Sequence, residues 1–291
     1  MNVVINLNKP KGISSQQAVT RVKRITGVKK AGHAGTLDPM ATGVLLVCIG
    51  EATKITRFLS DLDKEYLTVM KLGEKTDTYD SEGAVVQRSE GFSLGREDIE
   101  KVLAGFRGTI EQIPPMFSAL KVGGRPLYAL ARSGITVERA GREITIHGME
   151  ITGFSLPFVE LKISCSKGTY IRSLCNDIGE ALGVGAHVTG LQRTRIGGFL
   201  IEDSVTLDGL EKSPAAGNAC VSVDEALGHL EEMSLDEGDF SGAKNGASVT
   251  HHPTGLLQES FVRLKDPSGH LFAIGKIFGS TVKIERILHL S

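Results

Sequence analysis

The sequence predicts an α+β protein with a mixed, largely antiparallel sheet, followed by a small β-rich C-terminal domain. Two observations support this fold class. Strand-like and helix-like patterns are intermixed without the regular βαβ repeat that a parallel sheet requires. The last part of the chain contains three short strand patterns separated by turn residues. We therefore expect one domain at 1–234 and a second at 235–291.

In the first part of the chain, apolar spacing predicts three strands and two helices. Ser14 or Ser15 can cap the first helix, which Gly27 ends. In order, the predicted elements are a buried strand at 3–7, a helix with Val19, Val22 and Ile25 on one face, a β-branched strand at 43–49, a helix with Ile55, Phe58, Leu59 and Leu62 at 51–62, and a strand with Tyr66, Thr68, Met70 and Leu72 on one side.

The remaining elements continue this mixture. A long basic excursion is expected at about 114–147, beginning at Pro114 and Pro115. In order, the predicted elements are a turn-rich segment at 73–83, an amphipathic helix at 96–106, a helix at 126–132 within the excursion, paired strands at 144–154 and 159–166, a helix at 169–182, a short helix near 223–230, and strands at 261–264, 271–278 and 282–287.

The net charge of −1 conceals a strong polarisation along the chain. Residues 1–37 carry seven Lys or Arg and no acidic residue, while residues 114–147 and 162–197 each carry five basic and two acidic residues. Residues 202–239 instead carry eleven Asp or Glu and one Lys. Three basic segments without local compensation favour a polyanionic partner over ordinary solvated faces.

Several protein classes are disfavoured by what the chain lacks. No apolar run approaches the ~20 residues of a membrane helix, and no basic leader precedes an apolar stretch, so we expect a cytoplasmic protein without membrane contact. The four Cys form no C-x-x-C pair and are interpreted as reduced core residues. His251 and His252 lack a second pair with ligand spacing and are interpreted as loop residues, so no metal site is expected.

Asp38 is the first acidic residue of the chain. It lies in a loop of small residues and backbone breakers, Gly32-His33-Ala34-Gly35-Thr36-Leu37-Asp38-Pro39-Met40-Ala41-Thr42-Gly43. Small residues let a ligand approach the backbone closely. Because a carboxylate repels phosphate, its presence within a basic region requires a reason. We interpret it as the group that performs covalent chemistry on a nucleotide.

Other chemistries of a lone carboxylate fit the sequence less well. The phosphate-binding patterns G-x-x-x-x-G-K-[ST] and strand-linked G-x-G-x-x-G are both absent. An aspartyl-phosphate enzyme would place a second Asp where this chain has Met40. A glycosidase needs two carboxylates, and the acid nearest to Asp38 in sequence is Glu51, although distant acids could approach in the fold.

Four segments resemble the bacterial tRNA pseudouridine synthase B (TruB) family. Residues 32–45 resemble its catalytic motif, and Lys9-Pro10-Lys11-Gly12-Ile13-Ser14-Ser15 resembles its N-terminal box, with Asn8 where Asp is common. Lys64-Glu65-Tyr66 resembles the strand of the active-site tyrosine, and Lys167-Gly168-Thr169-Tyr170-Ile171-Arg172-Ser173-Leu174 resembles the segment of the active-site arginine. The resemblance covers roughly 3–210, and the last residues, including 240–246, resemble a PUA RNA-binding domain.

The resemblance implies that the enzyme isomerises uridine 55 in the T-loop of tRNA to pseudouridine. The N1–C1′ bond breaks, the uracil turns, and C5 joins C1′, so no redox change occurs and no cofactor or metal is needed. A T-arm stem-loop is expected to suffice as substrate, and a monomer without a protein partner is expected. Attack on the base, attack on the sugar and assistance to uracil departure all remain open as roles for the carboxylate.

The resemblance also assigns roles to residues of the catalytic centre. Asp38 is implied to be the catalytic carboxylate, Arg172 its charged partner, and Asp80 a second partner of Arg172. Because a T-loop uridine must be flipped out before it can react, Tyr66 is expected to stack on the flipped uracil. The Tyr66 hydroxyl is also a candidate for removing the C5 proton.

Further residues are expected to hold the RNA. His33 is the candidate for occupying the space within the T-loop, and Leu191 is implied to line the uracil pocket. An RNA-gripping insertion at about 114–147 is expected to become ordered on binding. The expected RNA contacts outside the pocket are Lys9, Lys29, Lys30, Lys121, Arg125 and Tyr128.

Two other functions are weighed against this one. A non-catalytic RNA-binding or RNA-folding protein could keep the same scaffold, but binding alone does not need Asp38, Tyr66 and Arg172 together. A metal-free nucleoside hydrolase or phosphotransferase is disfavoured by the missing phosphate loop and the missing acid pair.

Overall fold

The computed structural model describes residues 1–213, 217–250 and 259–290. Within these residues, 3-10 helices lie at Gly50–Ile55, Ile201–Asp203 and Gly217–Ala219. The α-helices are α1 (Ser15–Thr26), α2 (Thr56–Ser60), α3 (Arg96–Ala104), α4 (Leu127–Arg132), α5 (Ile171–Ala181), α6 (Leu207–Lys212), α7 (Val223–Ala226) and α8 (Glu237–Ala243).

The strands of the described residues fall into two large sheets and two small hairpins. They are β1 (Val3–Lys9), β2 (Ala31–Ala34), β3 (Thr42–Ile49), β4 (Lys64–Leu72), β5 (Glu74–Thr76), β6 (Val85–Arg88), β7 (Gly108–Gln112), β8 (Lys121–Val122), β9 (Arg125–Pro126), β10 (Arg142–Ser155), β11 (Phe158–Cys165), β12 (Ala186–Ile196), β13 (Phe199–Leu200), β14 (Cys220–Ser222), β15 (Glu231–Ser234), β16 (Val249–Thr250), β17 (Phe261–Lys265), β18 (Leu271–Phe278) and β19 (Thr281–Ile287).

The main sheet has ten strands in the order β14-β1-β3-β12-β4-β11-β10-β7, with β2 beside β3 and β13 beside β12. All of these neighbours are antiparallel except β3 and β12. The predicted α+β class with a mixed, largely antiparallel sheet is therefore confirmed. The sequence patterns do not predict β12, because Gly190, Gln192 and Arg193 interrupt its apolar spacing.

Helix α1 has both of the terminal signals that the sequence predicts. The Ser14 side chain accepts a hydrogen bond from the Gln17 N–H at 3.2 Å, and the Gln17 side chain accepts one from the Ser14 N–H at 2.8 Å. Gly27 ends the helix at φ +69°, a conformation that glycine adopts without strain. Val19 and Val22 are fully buried against the main sheet, so the predicted apolar face is confirmed.

The predicted helix at 51–62 forms in two parts, a 3-10 turn followed by the short α2. The hydroxyls of Thr53 and Thr56 each donate a hydrogen bond to the carbonyl three residues earlier, at 2.7 and 2.9 Å. Such local bonds compete with regular α-helical geometry. The helix predicted at 169–182 forms as α5, and its apolar residues Ile171, Leu174, Cys175 and Ile178 are buried.

A second sheet follows in the order β15-β17-β18-β19-β16, and it confirms the three predicted C-terminal strands. Its first strand, Glu231–Ser234, lies just before the predicted domain boundary at 234/235. The sheet packs on the main domain, since Phe58 and Phe261 meet edge to face at 5.0 Å. Leu271 and Ile274 belong to the same apolar cluster as residues of β1 and β3.

The predicted excursion corresponds to a segment between two adjacent strands, β7 and β10. Residues 113–141 contain the β8–β9 hairpin and α4, so the predicted helix at 126–132 is confirmed. The excursion ends earlier than expected, because residues 142–146 pair with β7 as part of β10. The pairing of β7 with β10 holds its two ends close together.

No helix among the described residues is both long and apolar enough to cross a membrane. Three of the four cysteines are buried free thiols, as expected, and Cys220 is partly buried. His251 and His252 lie outside the described residues.

Candidate active site

Asp38 lies on the loop between β2 and β3, and neighbouring side chains fix the path of this loop. The buried Ser15 hydroxyl accepts a hydrogen bond from the Leu37 N–H at 2.8 Å and donates one to the Leu37 carbonyl at 2.9 Å. The Gly12 N–H donates to the Pro39 carbonyl at 2.8 Å. These hydrogen bonds hold the backbone of the loop, while the Asp38 side chain is 33% exposed and therefore open to a ligand.

Lys9 also supports this loop, and the prediction that it contacts RNA phosphates is wrong. Its side chain is fully buried, and its ammonium donates to the carbonyls of Pro10, Ile13 and Pro39 at 2.9, 2.8 and 3.4 Å. Burial lowers the pKa of Lys9 to about 8, and the nearby Asp38 opposes this shift. A charge count along the sequence cannot separate such a structural cation from a surface one.

Arg172 lies at the start of α5 and joins Asp38 to the rest of the site. Its Nε donates to Asp38 Oδ2 at 2.9 Å, and its Nη1 lies 3.3 Å from Asp80 Oδ2. Its Nη1 and Nη2 also donate to the carbonyls of Thr78 and Phe117, at 2.9 and 2.8 Å. The Arg172 side chain is only 4% exposed, so these contacts fix the direction of the Asp38 carboxylate. The structure thus brings together the three charged residues that the resemblance implies.

A cavity of about 320 Å³ opens beside Asp38. Tyr66 and Leu191 line it from the neighbouring strands β4 and β12, so two further predicted residues meet Asp38 here. Tyr66 is buried, at 7% exposure, and its burial raises the pKa of its hydroxyl. The cavity is lined by Gly35, Thr36, Leu37, Asp38, Ser60, Lys64, Tyr66, Ser118, Ala119, Leu120, Arg142, Ser166, Gly168, Thr169, Tyr170, Ile171, Arg172, Leu191 and Arg193.

Three basic residues of this cavity are absent from the sequence prediction. Arg142 stacks on the Tyr170 ring, with its guanidinium carbon 4.6 Å from the ring centroid. Lys64 is 5% exposed, and its burial, reinforced by the charge of Arg193, lowers its pKa to about 8. Arg193 is 1% exposed beneath the loop of Asp38. Lys64 precedes the predicted Tyr66 by two residues, and this same-face spacing is the one sequence signal that could have identified it.

His33 lies on the other side of Asp38 and not in the first cavity. It lines a second cavity of about 650 Å³, which Asp38 and Arg172 share. Its Nδ1 is buried and has no hydrogen-bond partner among the described residues. Burial and the charge of Arg193 both lower the pKa of His33. Tyr128 from the excursion also lines this cavity, so His33 faces the excursion.

The remaining predicted RNA contacts are exposed but lie outside both cavities. Lys29 and Lys30 precede β2, and Lys30 lies 4.0 Å from Glu51. Lys121 and Arg125 lie on the β8–β9 hairpin of the excursion. Their exposure is compatible with contacts to a polyanion, which stay predictions.

Two family models match the chain in succession. The model described as TruB family pseudouridylate synthase (N terminal domain) matches residues 23–171, and the one described as tRNA pseudouridylate synthase B C-terminal domain matches residues 172–233. Asp38, Tyr66 and Asp80 lie within the first match, and Arg172 is the first residue of the second.

Similar proteins cover most of the chain. The chain is 43% identical over 294 residues to tRNA pseudouridine synthase B of Marinomonas sp. (strain MWYL1), which covers 99% of this chain and 95% of that relative. It is 47% identical over 249 residues to tRNA pseudouridine synthase B of Clostridium tetani (strain Massachusetts / E88), with 86% of each covered. Its fold is similar to a crystal structure of a Cbf5-Nop10-Gar1 complex, with a TM-score of 0.77, 28% identity, and 98% of this chain and 84% of that chain covered.

These matches join the fold and the Asp38 site to one family. The first family model alone spans more than half of the 291 residues, and both relatives exceed 40% identity over most of their length. The chain belongs to the TruB family of pseudouridylate synthases and is an RNA pseudouridine synthase.

Proposed function

We propose that this pseudouridine synthase isomerises uridine 55 in the T-loop of tRNA, with Asp38 as its catalytic carboxylate. The observation that carries the proposal is the position of Asp38, which is fixed by the buried Arg172 and open to a cavity lined by Tyr66 and Leu191. Relatives of this chain are named tRNA pseudouridine synthase B, which supports tRNA as the substrate.

The proposed reaction breaks the N1–C1′ bond, turns the uracil within the cavity, and joins C5 to C1′. Asp38 attacks the base or the sugar, or assists departure of the uracil, and the geometry is compatible with all three. Arg172 fixes the orientation of the Asp38 carboxylate before the substrate binds, so no rearrangement of water is needed to orient it. Tyr66 stacks on the flipped uracil. After the new bond forms, the Tyr66 side chain acts as a phenolate and takes the C5 proton. Leu191 forms the apolar wall of the uracil pocket.

The RNA outside the pocket is held by the second cavity and the exposed cations. His33 fills the space that the flipped uridine leaves in the T-loop, since it lines a cavity adjoining Asp38 and has an unpartnered Nδ1 within the described part of the chain. Four expectations stay predictions. They are the gripping of RNA by the excursion, the likeness of residues 235–291 to a PUA domain, the monomeric state and the cytoplasmic location. The exposed residues proposed to contact the RNA are Lys29, Lys30, Lys121, Arg125 and Tyr128.

The proposal is tested with a T-arm stem-loop whose uridine 55 carries tritium at C5. The parent protein should release tritium to water and yield pseudouridine in nucleoside analysis. A stem-loop with cytidine at position 55 is the matched control and should yield no product. Pseudouridine at another position, or none in the T-arm while another RNA is modified, would contradict the assigned substrate.

A further inference from the structure

The central strand β12 contains a buried cation that the mechanism described above does not use. Arg193 donates hydrogen bonds from Nε to the Val44 carbonyl at 2.8 Å, from Nη2 to the Gly35 carbonyl at 2.9 Å, and from Nη1 to the Thr36 carbonyl at 3.5 Å. Two of these carbonyls belong to the loop just before Asp38. The guanidinium therefore anchors the catalytic loop to the middle of the sheet.

Two glycines of the Asp38 motif lie against Arg193. A Cβ on Gly43 would lie 2.1 Å from the Arg193 carbonyl oxygen, so only glycine fits there. A Cβ on Gly35 would make an ordinary contact of 3.5 Å with Arg193 Nη1. Both glycines also have positive φ, +100° and +78°. The small residues of the Asp38 motif thus accommodate Arg193 as well as a ligand.

Arg193 has no carboxylate among its hydrogen-bond partners in the described residues. A buried cation without a counter-ion is unfavourable and raises the energy of neighbouring cations. Consistent with this, its charge acts to lower the pKa of Lys9, His33 and Lys64. The same field stabilises any negative charge that forms nearby during the reaction.

Tyr66 is the group placed to use this field. It is the direct cross-strand partner of Arg193 in the antiparallel pair of β4 and β12, and both residues line the cavity beside Asp38. Cross-strand partners have Cβ atoms about 5 Å apart, which brings long side chains into contact. Burial raises the pKa of Tyr66, and the positive charge of Arg193 opposes that shift.

We propose that Arg193 is a positioning residue that stabilises the phenolate of Tyr66 while it removes the C5 proton. In this step the phenolate oxygen takes the proton from C5, and the electron pair of the C5–H bond returns to the uracil ring. N1 then takes a proton from water, and the Tyr66 hydroxyl returns its proton to water. The inference deepens the proposed function and rests on the role of Tyr66 given there.

Two other groups that act on the Tyr66 hydroxyl oppose the phenolate. Asp38 on the catalytic loop and Cys165 on β11 both act to raise the pKa of Tyr66, because a negative charge on either repels the phenolate. Arg193 has the opposite effect, because its positive charge attracts the phenolate.

The composition of the chain permits a direct spectroscopic test. The chain contains four Tyr and no Trp. The near-ultraviolet absorbance of a tyrosine phenolate is therefore not overlapped by absorbance from tryptophan. Subtracting the Tyr66→Phe titration from that of the parent isolates Tyr66. A rapid pH jump records the signal before alkaline unfolding. Arg193→Gln removes the charge and keeps a donor, Arg193→Lys keeps the charge, and Arg195→Gln on the same strand is the matched control.

We expect Tyr66 to ionise at higher pH in Arg193→Gln than in the parent, with Arg193→Lys and Arg195→Gln near the parent. Tritium release from the T-arm RNA should fall on the order of 10² in Arg193→Gln near neutral pH and recover as pH rises. An unchanged Tyr66 titration, or a loss of release that is equal at every pH, would overturn the proposal and leave a purely structural role.

Two controls separate this inference from the proposed function. The titration needs no RNA, so it tests the link between Arg193 and Tyr66 even where the T-arm is not the substrate. Absence of pseudouridine with the parent protein would instead refute the proposed function. Should Arg193→Gln fail to fold by circular dichroism, Arg193→Lys decides the matter, because a titration unlike that of the parent would contradict a role that depends on charge.

Discussion

Replacing Arg172 by Met should destabilise the protein strongly, because the change leaves a buried carboxylate without its cation. The Arg172 and Asp80 side chains are 4% and 6% exposed. Without the guanidinium, Asp80 retains hydrogen bonds from the Thr78 hydroxyl and the Glu82 N–H, at 2.7 and 3.0 Å. Removing one partner of a buried ion pair costs about 3–5 kcal/mol. We expect a loss of roughly 4 kcal/mol in the free energy of unfolding.

The same network predicts which second change restores stability. Asp38 is 33% exposed, so water replaces much of its contact with Arg172, and Asp38→Asn should cost about 1 kcal/mol or less. Asp80→Asn should destabilise the parent but partly rescue Arg172→Met, with a coupling energy of about 2 kcal/mol. The rescue follows because the amide removes the uncompensated negative charge.

Urea unfolding followed by far-ultraviolet circular dichroism measures these free energies, and is suited to a chain without Trp. The four proteins of the cycle are the parent, Arg172→Met, Asp80→Asn and the double variant, with Asp38→Asn alongside. Equal losses for Arg172→Met and Asp38→Asn would refute the argument from burial. Additive losses in the double variant would show that Arg172 and Asp80 do not form the energetic pair that their 3.3 Å separation indicates.

Three further predictions concern the RNA. Asp38→Asn should bind a T-arm stem-loop as tightly as the parent or slightly tighter, because a charge that repels phosphate is lost. The same variant should release tritium more slowly by on the order of 10⁴. Undiminished release would remove Asp38 from the mechanism. Tyr66→Phe should keep most affinity and lose product formation, whereas Tyr66→Ala should also lose about 1–3 kcal/mol of binding; full turnover by Tyr66→Phe would show that the hydroxyl is dispensable. The slope of log affinity against log salt concentration should become less steep by roughly 0.7–0.9 in Lys29→Ala and in Arg125→Ala. Lys9→Ala should leave this slope unchanged, because Lys9 is buried. A slope near zero for the parent protein would refute phosphate contacts.

Elements whose signal is local were predictable from the sequence. The Ser14 cap, the Gly27 stop and the apolar face of α1 are determined within a few residues, and all three are confirmed. The alternation that begins at Tyr66 is likewise confirmed, since Tyr66, Thr68, Met70 and Leu72 are buried while Leu67 is 40% exposed. The Asp38 motif was predictable because its chemistry is concentrated in one continuous loop.

Features that depend on distant partners were not predictable in the same way. Strand β12 lies between β3 and β4 in the sheet, but its Gly190, Gln192 and Arg193 read as loop residues. Arg193 can occupy a central strand because backbone carbonyls 149 to 158 residues away accept its hydrogen bonds. Sequence spacing contains no information about those carbonyls. The site thus uses polar residues where apolar ones would have made the strand easier to recognise.

The failure of the Lys9 prediction shows how this protein combines a net charge of −1 with a polyanionic substrate. Lys9, Lys64, Arg172 and Arg193 are all at most 5% exposed. These four cations outnumber the three carboxylates that line the two cavities, Asp38, Asp80 and Glu82. Salt ions cannot approach these buried cations closely, so their field at the cavity is screened much less than that of surface charges. Salt ions do approach the exposed cations of 1–37 and of the excursion, so the field of these cations is weakened by salt. RNA binding and catalysis therefore depend on two separate sets of charges. The salt dependence of RNA affinity should change when Lys29 or Arg125 is replaced. The reactivity of Asp38 and Tyr66 should instead depend on the buried Arg172 and Arg193.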